Sequence, residues 1–275
     1  GAIIDYALPD NVHGPVTLNV LDAQGHLVRH YSSAEKTVAL NPTTLKIAPE
    51  WVPAPIRLST RSGMHRFVWN LHYAAPAGTS PSVAGEPASG VWAPPGTYSI
   101  ELDVDGRTYR QPLQLKADPR VKVSDAAMQR ELVLARKVEA ALTQATTAGD
   151  EAVELLKRLQ ARPAHVDAAL QTSIDALLDK AAALSGMEAH PDPRNSMGRP
   201  PQRTDSLRAL SIDLRKLEQA VDGADADPSA DAQTSYTSLS QTLAATLAGW
   251  QQLKQQDLAA LNAKLKAAGD PAIAL

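Results

Sequence analysis

Hydrophobic and polar positions alternate with a period of two through the first part of the chain. Val16, Leu18 and Val20 alternate with Thr17 and Asn19; Tyr98, Ile100, Leu102 and Val104 alternate with Ser99, Glu101 and Asp103. Residues two apart share one face of a strand, so each stretch predicts a strand with one buried face. Turn signals separate the runs. Asp22-Ala23-Gln24-Gly25 divides Val16–Leu21 from His26–Tyr31, Asp105-Gly106 follows Val104, and Pro94-Pro95-Gly96 halts the chain before Tyr98. Met64–Tyr73 reads as a further strand, with His65, Phe67, Trp69, Leu71 and Tyr73 on its mostly apolar face. It carries the only Phe of the chain and one of four Trp residues, so Phe67 and Trp69 are expected at the centre of the core. The Pro-, Gly-, Ser- and Ala-rich stretches 33–61 and 74–95 exceed hairpin length and read as long loops. The pattern predicts an Ig/fibronectin-III-like β-sandwich over residues 1–118.

After Asp118-Pro119 the period changes to three and four. Ser124 is an expected N-cap, followed by Met128, Leu132, Ala135, Leu142, Val153, Leu156 and Leu159, which predicts a helix over 124–160 with a bend near Gly149. Pro163 can open a second helix over 163–187, with Leu170, Ile174, Leu177 and Leu184 on its seam. Residues 188–203, with four prolines and Gly198, read as a loop. A third helix is expected over 204–221. Asp227-Pro228 is the expected start of a fourth over 228–268, with Tyr236, Leu239, Leu243, Leu247, Trp250, Leu253, Leu258, Leu261 and Leu265 on its seam. The outer helices, about 40 residues at about 1.5 Å each, would be about 60 Å long. The order long, short, short, long predicts an elongated antiparallel four-helix bundle or stalk over 119–275.

Composition narrows the function classes. A length of 275 residues suits one large or two ordinary domains. Aromatics make up 4%, so most of the core must be aliphatic. Net charge is −3 and no Lys/Arg-rich run occurs, so no nucleic acid is expected as a partner. No apolar stretch approaches the roughly 20 residues that cross a bilayer, and the first residues do not read as a signal peptide. The chain has no cysteine, which excludes disulfides, Cys-ligated zinc and thiol catalysis.

Candidate chemistry is sparse. Glu101, Asp103 and Asp105 could pair as glycosidase carboxylates, but they alternate with Ile100, Leu102 and Val104 and read as a solvated face. His26 and His30 share a face of one strand and His65 and His72 lie on opposite faces of another, without ligand spacing for a metal. Gly-x-Ser-x-Gly and glycine-rich phosphate loops are absent, so an autonomous hydrolase is the least supported reading and no cofactor is expected. Trp51 and Trp92, in the two long loops, and Tyr73 are the candidates for an interface or for stacking on a glycan. Trp250 reads as core, and Glu151, Glu154, Lys157 and Arg158 as solvated helix pairs.

Three segments together carry a family likeness. They are Gly1-Ala2-Ile3-Ile4-Asp5-Tyr6 leading to Val16–Gly25; Gly63-Met64-His65-Arg66-Phe67-Val68-Trp69-Asn70-Leu71; and Ala93-Pro94-Pro95-Gly96-Thr97-Tyr98 leading to Asp105-Gly106 and Asp118-Pro119-Arg120. The set resembles the C-terminal region of large bacterial sortilin-like, BNR-repeat β-propeller proteins, often labelled glycosyl-hydrolase-like. The sandwich is also similar to the Ig-like domain of flagellar hook-capping proteins. Trp250 through Asn262 fits the helical tail of the propeller family. The resemblance implies a non-catalytic structural or interaction module, periplasmic or secreted. The sandwich would dock on an N-terminal β-propeller of the same polypeptide through loops 33–61 and 74–95. The helices would serve as a spacer or self-association arm. The alternative is a carbohydrate-binding accessory module of a glycosidase-like protein. The family offers no catalytic residue to carry onto these positions.

Overall fold

The protein is described here by a computed structural model covering residues 1–35, 47–52, 57–76, 79, 88–161, 167–190, 204–223 and 225–275. The chain mixes antiparallel sheets with helices and divides into two compact units. One is Gly1–Arg136 with Ala224–Pro228, the other Lys137–Gly223 with Ser229–Leu275.

The first unit contains strands β1 (Ala2–Leu8), β2 (Thr17–Leu21), β3 (Leu27–Ser32), β4 (Gly63–Trp69), β5 (His72–Ala74), β6 (Ser89–Trp92), β7 (Gly96–Val104) and β8 (Arg107–Leu115). They form a four-stranded sheet in the order β3-β2-β7-β8 and two ribbons, β1-β4 and β5-β6. The alternating residues point as their spacing requires: Val16, Leu18, Val20, Tyr98, Ile100 and Val104 are buried. Phe67 and Trp69 are fully buried on β4. Phe67 meets Tyr31 of β3 at 4.6 Å between ring centres, and Trp69 meets Tyr98 of β7 at 5.3 Å, both edge-on. Each such pair adds about 0.5–1.5 kcal/mol beyond the area it buries. Asp105 and Gly106 turn the β7–β8 hairpin with φ of 51° and 76°, a two-residue loop with both central residues left-handed. The Asp105 carboxylate accepts the backbone N–H groups of His13 and Gly14, the latter at 2.8 Å, and ties the β1–β2 connection to the hairpin tip.

The single strand expected over Met64–Tyr73 is broken in two. β4 stops at Trp69, and Leu71 sits at φ +65° before β5 starts. Three hydrogen bonds hold this corner: Ala93 N–H to Leu71 O at 2.7 Å, Trp69 Nε1 to His72 O at 3.0 Å, and His72 Nδ1 to Asn70 O at 2.8 Å. All depend on nonlocal or backbone partners, to which alternation is blind. His65 and His72 therefore lie on different strands.

The helices are α1 (Asp125–Gln160), α2 (Ala168–Ser185), α3 (Leu207–Asp222) and α4 (Ala230–Gln252), which continues through a π-helical turn (Leu253–Leu258) into α5 (Ala259–Ala267). Residues of α1 up to Arg136 fall in the first unit. Side-chain caps set the starts. Asp167 accepts from Leu170 N–H, Ser206 from Ala209 N–H and Ser229 from Ala232 N–H. The third helix thus opens at Leu207 rather than at Thr204. The fourth is capped by Ser229 rather than Asp227, whose carboxylate instead pairs with Arg130 at 2.9 Å. The start expected at Pro163 and most of the 188–203 loop lie outside the described residues. No interruption occurs at Gly149: a Cβ there would rest 3.7 Å from Leu207 Cβ, and α-helix runs through it.

In the second unit α2 runs antiparallel to the last helical rod. Lys180 pairs with Asp257 at 2.8 Å, and Ser173, seven residues earlier, receives Lys264 at 2.8 Å, seven residues later. Gly186 ends α2 at φ +79°, and a Cβ there would come within 2.5 Å of Ser206 Oγ, so the C-cap of α2 and the N-cap of α3 are in contact. The π turn answers a feature of the seam. Trp250 and Leu253 are three apart, but Leu253 and Leu258 are five apart, and all three are buried. A turn with i→i+5 bonds accommodates that one long step and keeps Leu258, Leu261 and Leu265 on the packed face.

Deleting Gln255 should shorten the five-residue step to four and let the rod close as a continuous α-helix. The melting temperature, followed by circular dichroism, is expected to stay within about 4 °C of the parent. Deleting the exposed Ala244 instead turns everything beyond it by about 100° and should abolish the cooperative transition.

Candidate functional site

A groove of about 680 Å³ opens in the first unit between β1 and β8. Its origin is visible in the register. Leu18 lies opposite Leu102 and Leu102 opposite Tyr109; Val20 lies opposite Ile100 and Ile100 opposite Gln111; Tyr98 lies opposite Leu113. Directly opposed residues share a face, so Tyr109, Gln111 and Leu113 stand on the core face of the sheet. Yet Arg107, Tyr109 and Gln111 are exposed, Tyr109 at 55%. Among the described residues this part of the face is left open. Across the groove, Ile4 of β1, opposite Phe67, is half-buried, and Ile3 is 57% exposed. Both rims are edge strands among the described residues, where β1 pairs only with β4 and β8 only with β7.

The charges of the lining are mostly committed. Asp5 pairs with Arg66 through two hydrogen bonds of 2.9 and 3.0 Å, and that guanidinium holds its carboxyl below the usual carboxylate range. Asp105 is engaged by His13 and Gly14. Arg107 has no hydrogen-bond or ion-pair partner among the described residues. Tyr6 closes the inner wall, donating to Ser59 O at 3.3 Å and accepting Ser59 N–H at 2.8 Å. β8 carries no His, Cys, Asp or Glu, the residue types that most often mark a catalytic or metal site. The signal was present in Arg107-Thr108-Tyr109-Arg110-Gln111-Pro112: polar on both faces, with a proline, it describes an uncovered edge strand.

The three aromatic candidates are dispersed. Trp51 ends a short 3₁₀ turn, Pro49–Trp51, and is 76% exposed. Trp92 is 48% exposed on β6 and stacks on His72 with ring centres 3.8 Å apart. Tyr73 is buried, and the Arg136 guanidinium lies over its ring at 4.9 Å. Neither Trp51, Trp92 nor Tyr73 lines the groove.

The polar candidates have local partners. Glu101 pairs with Arg110 and Asp103 accepts from Thr108 across the β7–β8 ladder. His26 contacts Asp22 and His30 contacts Asn19, while His65 Nε2 donates to Arg61 O at 2.6 Å. Among the described residues no group of three or more His, Cys, Asp or Glu converges as a metal site. Arg29 donates to Tyr73 O at 3.1 Å and lies 5.2 Å from the Tyr31 ring, while its buried Nε finds no partner. In the helical unit one Glu151 oxygen accepts from Lys254 at 2.7 Å and from Trp250 Nε1 at 3.1 Å. The Lys254 bond holds the Glu151 carboxyl below its ordinary value. Glu151 is thus part of a helix–helix tie rather than a solvated pair.

No family model, curated protein or solved structure matches the chain.

Burial lowers the His72 imidazole below its ordinary value of 6.5, and nearby Arg29 adds to the effect. An unfolded His72 takes up a proton near 6.5, the folded one only at lower pH. The stability that this site contributes is therefore constant above about 6.5 and falls as pH drops below it. Urea unfolding of the parent and of His72→Gln at pH 7 and pH 5 should show the parent losing more stability on acidification. Equal losses would mean that folding leaves this proton untouched.

Proposed function

We propose that this chain is a non-catalytic structural and interaction module of a larger secreted β-propeller protein. One observation carries the interaction reading: among the described residues the core face of the four-stranded sheet continues onto β8 without cover, beside a β1 edge that no described strand pairs. The open face is amphipathic, with Tyr109 and half-buried Leu102 and Leu113 beside Arg107 and Gln111, and an exposed strand edge beside it is a ready template for another chain. The link to a propeller rests on the family resemblance of the three quoted segments. The same reading takes the first unit as an Ig/fibronectin-III-like β-sandwich. The edge-on ring contacts of Phe67 and Trp69 with the four-stranded sheet support it. It takes the helices as an elongated antiparallel four-helix bundle, supported by the antiparallel α2 contacts.

The native polypeptide, detected by immunoblot in its source cell, is expected to migrate far above 29.2 kDa. In cross-linking mass spectrometry of that native protein, residues of the first unit should link to the propeller. A native species of 29.2 kDa would overturn the reading.

A second reading is favoured by the exposed indoles of Trp51 and Trp92: a carbohydrate-binding accessory module, in which sugar C–H faces stack on the rings. It predicts binding on a broad glycan panel that weakens about tenfold in Trp51→Ala, the loss of roughly one ring contact. A blank panel rejects it.

A further inference from the structure

We propose that the groove between β1 and β8 takes an extended polypeptide segment from a partner, which adds as a strand along the β1 edge and sets an acidic side chain against Arg107. The inference rests on the interaction-module reading and names the kind of partner.

Three observations select this occupant. The first is the form of the rims. A strand edge presents a row of backbone N–H and C=O groups, and extended peptide is the ligand that satisfies such a row along its length. The second is the difference between the two edges. Pro112 sits in mid-strand on β8, opposite Ser99. Proline cannot donate to a ladder, so its nitrogen must face the outer edge, which therefore lacks a donor there. The β1 strand, Ala2 to Leu8, has neither proline nor glycine, and Asp5 is its only charge. One rim is blunted against strand pairing and the other is not. The third is charge. Asp5 is ion-paired with Arg66, and Asp105 keeps its charge but points its carboxylate at two backbone N–H groups, while Arg107 is left with no partner among the described residues. A peptide that pairs with β1 passes over the apolar floor of Leu102 and Leu113 and beside Tyr109. It leaves a site for one negative charge at the Arg107 end.

The direction of the added strand also follows. Asp105 binds the backbone of His13 and Gly14, so β1 finishes at the end of the unit where β8 begins. Antiparallel pairing is the more stable arrangement. A segment antiparallel to β1 starts at that end, so its acidic residue lies near its amino terminus.

The test uses the full chain and three capped, fluorescein-labelled nonapeptides. The first alternates valine and threonine after an amino-terminal glutamate. The second replaces the glutamate by lysine, and the third carries prolines at alternate positions. Fluorescence anisotropy is expected to show saturable binding of the first and at least tenfold weaker binding of the other two. Arg107→Glu, an exposed position, should reverse the preference between glutamate and lysine; Arg107→Ala should remove it. Hydrogen exchange in the presence of the first peptide should slow at the amides of Ala2–Leu8. No saturable binding, equal binding of the proline peptide, or indifference to both Arg107 variants would overturn the proposal. So would slowed exchange along β8 with β1 unchanged. A concentration-dependent dimer whose interface is β1 would assign the edge to a second copy of this chain and equally overturn it. A peptide that fails to bind while the native protein is large and cross-linked to a propeller sinks only this proposal. A native species of 29.2 kDa that still binds the peptide sinks only the propeller reading.

Discussion

The edge-on contacts of Phe67 and Trp69 with Tyr31 and Tyr98 are the attachment on which the first unit depends. A two-stranded ribbon is marginal in water without a surface to bury against, and β1-β4 is such a ribbon. With aromatics at 4% of the chain, large rings are scarce, and four of them are spent on this one junction. The aliphatic alternation of β2 and β7 supplies a flat apolar floor. The rings supply the height needed to fill the space between the layers. The groove is the geometric remainder: two strands cannot roof four, and the uncovered strand is the one whose inward face is Arg107, Tyr109 and Gln111 rather than valine or isoleucine.

Much of this was legible in the sequence, for stated reasons. Alternation identified β2 and β7 because their two faces differ sharply in polarity. Asp105-Gly106 identified the hairpin because a two-residue loop needs two left-handed residues, and Phe67 and Trp69 were placed in the core correctly. The helical period was readable in part: Leu243, Trp250, Leu253, Leu258, Leu261 and Leu265 are buried, whereas Leu132, Val153, Leu184, Tyr236, Leu239 and Leu247 are half-buried. What the sequence hid were features whose cause lies elsewhere in the chain. The corner at Leu71 is fixed by Ala93 and His72, and a leucine at φ +65° is no turn signal. Asp227 looked like a cap and is held instead by Arg130, nearly a hundred positions away in the chain. Glu151 looked like a solvated pair and is bound by Trp250 and Lys254.

The site was the least legible part. Trp51 and Trp92 lie in stretches that read as long loops, and Tyr73 ends a stretch that reads as a strand. Exposure separates them: Tyr73 is buried, whereas Trp51 stands open. Among the described residues the groove is an open sheet face between two strand edges. A pattern of residues reports which face is apolar but not whether another layer lies over it. Only Pro112 and the mixed polarity of β8 hinted that this strand is an edge.

The contact between Gly186 and Ser206 bears on how the helical unit tolerates change. The end of α2 and the start of α3 hold one another directly, cap to cap. Closing a loop whose ends are already fixed costs only about 0.6 kcal/mol for each doubling of its length. This makes the junction a natural splice point. Residues can be added between the caps at small cost while the two helix ends stay in contact.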